Sequence, residues 1–382
     1  MHDHTSVPRR PAGGAGGRRG TERRRSAGGP PRRWSAAVAV VGVVILAGCS
    51  SSAPSAHKRA APTTSTTTTT SGAPVALCPL TGVPVPGGGG VPQRPALAIK
   101  VDNYIQARPQ SGLDKADVVF EEPVEGGITR YAAVFQCQQA ALVGPVRSAR
   151  NIDIGILGQF GSPLLAHVGG INPVIANIDD SPLINMDLGV YASVDQHPAG
   201  RFAPFDTYAS TQAIWALKPA DTTPPMPIFA YSNVIPTGTP VGSVSIPFSV
   251  NSPVAWIYNA KDHAFLRYYG FSPDKLANGV QNMATNVIVQ FVQITYGPWA
   301  ENSEGGLEVQ ANLSDNASGP AEVFRDGVEI SGTWSRGSLG QATQYTSSTG
   351  QNIALRPGPT WVELVPNTIT VGVNPPFTPS KS

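Results

Sequence analysis

The 382-residue sequence contains only three cysteines and six histidines, and it lacks the motifs of the common hydrolase classes. It has no Gly-x-Ser-x-Gly nucleophile elbow, no His-Glu-x-x-His zinc motif and no Gly-Lys-Ser/Thr phosphate loop. A Ser-x-x-Lys occurs at residues 55–58, but that segment has no helical pattern that could aim the lysine at the serine. These absences argue against an enzyme of any class defined by these motifs.

Metal ligands are also scarce in the part of the chain that we expect to fold. Three histidines fall there, His167, His197 and His263, and no two of them have metal-ligand spacing. A zinc site would have to be assembled from carboxylates that are distant in sequence. We therefore expect no metal and no other cofactor.

The first 48 residues have the pattern of a lipoprotein signal peptide. Nine arginines between Arg9 and Arg33 precede the apolar run 35–48, which is too short to span a bilayer comfortably. This run ends in LAGC, which resembles the bacterial lipobox and predicts cleavage before Cys49 and acylation of its thiol. The alternative is an uncleaved signal anchor. The pattern predicts an exported protein at the outer face of the cytoplasmic membrane, bound to the bilayer through acylated Cys49.

The basic charge of the whole chain comes from this leader. Residues 1–48 hold nine of the 27 Lys and Arg and two of the 25 Asp and Glu, which leaves 18 basic and 23 acidic side chains, a net charge of −5. An acidic mature chain has no electrostatic attraction for phosphate backbones, so we expect no nucleic-acid partner.

Two cysteines remain after Cys49, and an exported protein allows them to pair. Cys78 and Cys137 form an even pair in an oxidising compartment, which favours a disulfide between them. The alternative is two free thiols, because sequence alone does not bring their Cα atoms within bonding range.

Composition divides the mature chain into four segments. The Ser/Thr/Pro-rich stretch 49–77 has almost no apolar side chain to bury and predicts a disordered tether. Residues 78–220 mix strand and helix patterns and predict an α/β domain, with a hairpin over 117–136. Residues 228–366 show short strand patterns with turns between them and predict a mainly antiparallel β domain. The polar tail 367–382 is expected to be flexible.

Acidic residues cluster at the predicted hairpin. Glu121 and Glu122 point to opposite faces of a strand, so at most one of them can join Glu125 in a carboxylate pair for acid/base catalysis. His167 ends an apolar strand before two glycines, a place where α/β proteins present ligand-facing groups. The alternatives are ion pairs between these carboxylates and nearby arginines, and a hydrogen-bonded core histidine.

The stretch VGPVRSARNIDIG at residues 143–155 places two arginines where a helical pattern begins. Ser148 is the expected N-cap, so the guanidinium groups and free backbone amides would converge on an anion. That anion is either an internal carboxylate from the hairpin or a carboxylate or phosphate of a ligand. The residues predicted to bind a ligand are Arg147, Ser148, Arg150, Asp102, Asn103 and His167.

An ordered series of motifs runs through both predicted domains. The segments of the first half are CPLTG, RPALAIKVDN, ARPQSGLDKADVVFE, VEGGITRYAAVF, VGPVRSAR and HVGG. Those of the second half are WIYNAKDHAFLRYYG, TNVIVQFV, GPAEVFRDGVEISGTW and IALRPGPTWVELV. In this order they resemble the YerB-like bacterial lipoproteins over about residues 78–366. The resemblance implies a lipid-anchored extracytoplasmic protein with a layered β–β–α sandwich in its first domain and no established activity.

One position departs from the family pattern. Where the family tends to have Ala-Pro-His-Asn before an aromatic residue, this chain has APFDTY at 203–208. Any role that the family gives to that histidine is therefore not carried over to Phe205.

Two functional hypotheses follow. The first is a non-enzymatic binding or scaffold protein of the cell envelope, whose partners are cell-wall components or other envelope proteins. The second is a glycan- or peptide-processing enzyme that uses Glu121, Glu122 or Glu125 with His167. The missing catalytic motifs favour the first.

Overall fold

The computed structural model describes residues 75–376. The predicted signal peptide, Cys49, all but the last three residues of the predicted tether and the last six residues of the chain lie outside this range.

The first half mixes strands with three short helices. The elements in chain order are β1 Leu97–Asp102, β2 Val118–Val124, β3 Ile128–Phe135, α1 Ile152–Leu157, β4 Leu164–His167, α2 Asn172–Asp179, β5 Ile184–Asp187, β6 Asp195–Gln196, β7 Tyr208–Ala209 and α3 Thr211–Ala216. None of the helices within residues 75–376 is long and apolar enough to cross a membrane.

Residues 228–376 form strands and contain no α-helix, as the sequence predicts. The strands are β8 Thr239–Pro240, β9 Ser243–Ser249, β10 Ser252–Asn259, β11 Ala264–Tyr269, β12 Ser272–Pro273, β13 Met283–Ala284, β14 Asn286–Val292, β15 Ile294–Ala300, β16 Leu307–Ala311, β17 Ala317–Arg325, β18 Val328–Arg336, β19 Gln344–Ser347, β20 Thr360–Pro366 and β21 Gly372–Asn374.

One large sheet contains strands from both halves of the chain. Its order is β19-β18-β17-β14-β20-β2-β3-β1-β4-β5, with β8 paired to β18. The predicted hairpin is present as the antiparallel pair β2 and β3, and β1 pairs with β4 and β4 with β5 in parallel. The two halves join where β20 pairs in parallel with β2. The predicted fold class, an α/β region followed by mainly antiparallel β structure, is confirmed.

The large sheet is covered on both faces, which explains why β1 is buried along its whole length. On one face, Tyr131, Ala133 and Phe135 of β3 join a core that includes Trp256 and Phe265 of the second sheet, whose order is β12-β11-β10-β9-β21. On the other face, alternate residues of the same strands pack against helices α1 and α2. The alternation of side chains along each strand thus fills two separate cores.

The predicted helix start at Ser148 is wrong. Helix α1 begins at Ile152, and Asn151 precedes it without a capping hydrogen bond from its side chain. The backbone amide of Arg147 donates to Lys100 O (3.0 Å), and that of Ala149 donates to Gly169 O (3.1 Å). The carbonyls of Ser148 and Ala149, which would accept the first helical hydrogen bonds, accept instead from Arg130 Nη1 (3.4 Å) and Arg150 Nη1 (2.9 Å), so the helix begins later.

The predicted disulfide between Cys78 and Cys137 is present, with the Cα atoms 5.9 Å apart. It joins the start of the folded segment to the residue that follows β3 by two positions. Both cysteines are buried in a small apolar cluster with Val85.

Candidate functional site

The predicted site residues lie at one end of the large sheet. Because β1, β4 and β5 are parallel, Asp102, Asn103 and His167 lie at the same end of their strands. The turn between β2 and β3, which carries Glu125, is at this end too, because β3 is antiparallel to β1. The segment 147–153 then crosses beside the end of β1.

Glu121 faces the second sheet, as the pleat of β2 requires, and is buried in a network of polar groups. Its Oε2 lies 2.6 Å from Arg267 Nη2, and the Nη1 of Arg267 lies 2.7 Å from Asp274 Oδ2. Its Oε1 accepts hydrogen bonds from Thr129 Oγ1 (2.6 Å) and Asn103 Nδ2 (3.1 Å). This carboxylate is thus neutralised by a buried arginine.

A second carboxyl lies beside Glu121 in the same core. Glu363 of β20 pairs with Glu121 in the strand register, and its Oε1 accepts from Trp256 Nε1 at 2.8 Å. Burial, with the adjacent charge of Glu121, raises the pKa of Glu363 well above its usual range. Burial therefore favours the protonated form of Glu363, which lies beside the carboxyl group that pairs with Arg267.

Sequence analysis missed Arg267 and Glu363, although each carried a signal. Arg267 shares the inward face of β11 with Phe265, and Glu363 shares the inward face of β20 with Trp361. A charged residue in phase with apolar residues on a strand indicates a buried charge that needs a partner.

Glu122 faces the helices on the opposite side of the sheet. Lys100 forms ion pairs with Glu122 and with Asp153 of α1, the latter at 2.7 Å, and all three side chains are buried. Burial, followed by the nearby charge of Asp153, raises the pKa of Glu122 to about 7. One lysine thus serves two buried carboxylates, and within residues 75–376 the Oε2 of Glu122 has no hydrogen-bond partner.

Glu125 is held by arginines at the tip of the hairpin. Arg150 Nε donates to its Oε2 at 3.1 Å, Arg150 Nη2 bonds to its Oε1, and Arg130 Nη2 lies 3.5 Å away. Burial alone would raise the pKa of Glu125, but the hydrogen bond from Arg150 and the charge of Arg130 lower it below its usual value. Arg150 Nη1 also lies 3.2 Å from Glu301 Oε2, so the guanidinium of Arg150 is paired with two carboxylates of the protein itself.

Arg147 pairs with a different carboxylate and is partly exposed to solvent. Its Nε lies 2.8 Å from Asp102 Oδ2, and its guanidinium lies over the ring of Phe205 at 5.7 Å from the centroid. Ser148 next to it is half-buried, and its carbonyl accepts from Arg130 Nη1 at 3.4 Å. Arg147 and Ser148 are the accessible members of the predicted ligand-binding set.

His167 does not join the glutamates. Its ring nitrogens lie 2.9 Å from Gly169 O and 2.8 Å from Asn185 Oδ1, and the amide of Asn185 is oriented by Asp179. Within residues 75–376, no hydrogen bond or ion pair links His167 to Glu121, Glu122 or Glu125. In the same range, no group of three or more His, Cys, Asp and Glu side chains could hold a metal ion.

An open cleft of about 500 Å³ lies on the outer side of Glu125. Its walls come from the β2–β3 turn, the β15–β16 hairpin, the end of β9 and the segment after β20, and they are largely apolar. Tyr296 and Leu307 are exposed at this cleft. It is a second place where a ligand could contact this end of the sheet.

The chain matches the two models of one protein family and a solved structure. Residues 80–223 match the N-terminal domain, and residues 244–362 the C-terminal domain, of the proteins of unknown function DUF3048. The "Putative lipoprotein YerB" of Bacillus subtilis (strain 168) is 48% identical over 77 residues, which span 20% of this chain and 23% of that relative.

The crystal structure of YerB from Bacillus subtilis has the same fold, with a TM-score of 0.66 and 23% identity. That comparison covers 78% of this chain and 99% of the solved one. The ordered motifs, the paired α/β and β regions and both family matches agree. The chain therefore belongs to the DUF3048 family of proteins of unknown function.

Proposed function

We propose that this protein is a non-enzymatic binding or scaffold protein of the bacterial cell envelope. One observation carries the proposal: each acidic residue that the sequence offers for catalysis is engaged by a buried cation. Glu121 pairs with Arg267, Glu122 with Lys100 and Glu125 with Arg150.

General acid/base catalysis needs a carboxyl group that reaches the substrate and exchanges a proton with it. Glu121 and Glu122 are shielded from solvent, and the low pKa of Glu125 makes it a poor proton donor. The retaining and inverting glycosidase mechanisms also need two carboxyls that face one cleft. Glu121 and Glu122 lie on opposite faces of the sheet, which supports binding over catalysis.

The ligand of this protein is proposed to be a cell-wall component or another envelope protein. Of the predicted ligand-binding residues, Arg147 and Ser148 are the accessible ones, whereas Arg150, Asp102, Asn103 and His167 are buried and support the fold around them.

The test uses the full lipidated chain in detergent, mixed with purified cell walls and with solubilised envelope proteins. We expect retention of wall material or of an envelope protein, without release of soluble sugars or peptides. Product release that Glu125→Gln abolishes would show an enzyme. Retention no greater than that of an unrelated lipoprotein would contradict the binding role.

The membrane anchor is part of the same proposal, because the YerB relative bears the name of a lipoprotein and the motif LAGC ends in Cys49. Replacing Cys49 with Ser removes the thiol that would be acylated. We expect the variant to leave the membrane fraction and appear in the soluble extracytoplasmic fraction. An unchanged membrane fraction would favour the uncleaved signal anchor.

A further inference from the structure

We propose that Tyr104, Phe205 and the Arg147–Asp102 ion pair form a platform that binds the sugar rings of a glycan strand. We call these four residues the aromatic platform. The inference rests on the proposed binding function and names the class of ligand.

Two aromatic rings from separate loops stack on each other at the surface. The rings of Tyr104 and Phe205 are nearly parallel, with an interplanar angle of 16° and centroids 6.1 Å apart. Tyr104 is 39% exposed and Phe205 is half-buried. Ile105 and Phe202, on the same two loops, are 69% and 80% exposed and add to the apolar surface. Exposed aromatic surface of this kind is costly in water and marks contact sites.

The two loops are fixed to each other, so the rings are held in place before a ligand binds. Arg201 donates to the carbonyls of Ala107 and Pro109, the former at 3.2 Å. Asp102 Oδ1 accepts the backbone amide of Tyr104 at 2.9 Å, and Arg147 Nη1 lies 3.5 Å from Pro204 O. A surface that is already ordered loses less entropy when it binds.

A polar pair stands at the edge of the aromatic surface. Arg147 lies over Phe205, and its Nε lies 2.8 Å from Asp102 Oδ2. The side chain of Arg147 is 27% exposed, so its outer guanidinium hydrogens can reach a ligand. Arg147 supplies donors beside the rings, and the buried carboxylate of Asp102 holds its guanidinium in place.

This combination matches the chemistry of a sugar. A sugar ring has an apolar face of C–H groups, which packs on an aromatic ring, and hydroxyls at its edge that both donate and accept. The charge of Arg147 is matched by Asp102, so the platform offers no net positive charge to a phosphate or carboxylate.

The test measures binding of the full lipidated chain, in detergent micelles, to purified peptidoglycan and to soluble glycan strands freed of their stem peptides. We expect binding to both, weakened about tenfold by either Tyr104→Ala or Phe205→Ala, the loss expected for removing one stacked ring. Phe271→Ala is the matched control, because Phe271 is a fully exposed aromatic residue outside the platform. It should bind like the unmodified chain.

The other outcomes are distinct. If Tyr296→Ala weakens glycan binding and the two platform variants do not, the ligand lies in the cleft beside Glu125 and the platform is wrong. If the chain retains an envelope protein but no glycan, the sugar assignment is wrong and the binding function stands. If it retains neither, the proposed function itself fails.

Discussion

Arg267 is fully buried between the two sheets. It pairs with Glu121 and Asp274, and the rings of Tyr131 and Trp361 lie 5.4 and 5.1 Å from its guanidinium carbon. Burying a charge is costly, and the cost is offset only when good partners surround it. Here two carboxylates and the faces of aromatic rings surround the cation.

Arg267→Met should lower the free energy of unfolding by about 3–5 kcal/mol, because it leaves Glu121 and Asp274 buried without their cation. Chemical denaturation measures the change. The control is Arg356→Met, whose side chain is 25% exposed and pairs with Asp326. Equal losses in the two variants would show that Arg267 contributes no more than an ion pair whose arginine is partly exposed.

Asp117 makes the stability depend on pH. Its Oδ2 accepts backbone amides of Gln136 (2.5 Å) and Cys137 (3.1 Å), while its Oδ1 is buried without a hydrogen-bond partner. Burial raises its pKa from 3.8 to about 6. Between pH 4 and 6 the folded chain therefore holds a proton that the unfolded chain releases. The contribution of this group to the free energy of unfolding therefore increases as the pH falls and decreases as the pH rises.

Asp117→Asn should remove this dependence. The difference in unfolding free energy between the unmodified chain and the variant is expected to change by about 2 kcal/mol from pH 6.5 to pH 4, in favour of the unmodified chain at pH 4. Thermal unfolding across this range measures it. Asp180→Asn removes an exposed carboxylate and serves as the matched control. A constant gap would contradict the assignment.

At the scale of elements, the disulfide fixes the start of the folded segment to the end of β3. Cys78 and Cys137 are separated by 59 positions, and Arg94 donates to Gln136 O (2.7 Å) in the same region. The bond therefore closes a long loop that contains β1, β2 and β3.

Cys78→Ala with Cys137→Ala should destabilise the protein by about 4 kcal/mol in the chain-entropy account of a loop of this length. Denaturant titration of the exported variant measures the loss. Reduction of the unmodified protein should produce a similar shift, which is the control for side-chain packing. A variant as stable as the oxidised protein would contradict a structural role.

The segment 147–153 shows how an element's neighbours override its local pattern. Its sequence predicted a helix from Ser148, yet the carbonyls of Ser148 and Ala149 accept from the side chains of Arg130 and Arg150. These arginines satisfy carbonyls that would otherwise accept the first helical hydrogen bonds. Helix α1 therefore begins only at Ile152.

At the scale of the whole molecule, the two family domains share one sheet. Strand β20 of the second half lies between β14 and β2, and Arg267 of the second half neutralises Glu121 of the first. Without the second half, β2 would expose an unpaired edge and Glu121 would lose its cation.

Residues 75–223 alone should therefore not reach a stable fold. We expect the fragment to aggregate or to lack a cooperative unfolding transition, whereas residues 75–376 unfold in one transition. Circular dichroism with calorimetry measures both. A fragment with a sharp transition of its own would show that the first half is an independent domain, as the predicted boundary of 78–220 suggests.

Features that depend on local pattern could be predicted from the sequence. The hairpin with its two glutamates on opposite faces and the change from mixed to all-strand structure follow from spacing and composition, and the LAGC motif at residues 46–49 predicts the lipid anchor. The family resemblance rests on ordered motifs and is likewise a property of the sequence.

Tertiary structure alone decided which charges meet. Glu121 and Arg267 are 146 positions apart, Glu125 and Arg150 are 25 apart, and Tyr104 meets Phe205 through loops separated by five strands and two helices. A strand pattern shows which face a side chain occupies, but it does not show which other strand covers that face. Only strand order and sheet packing fix the partner of a buried charge, because partners at this separation are chosen by the free energy of the whole fold.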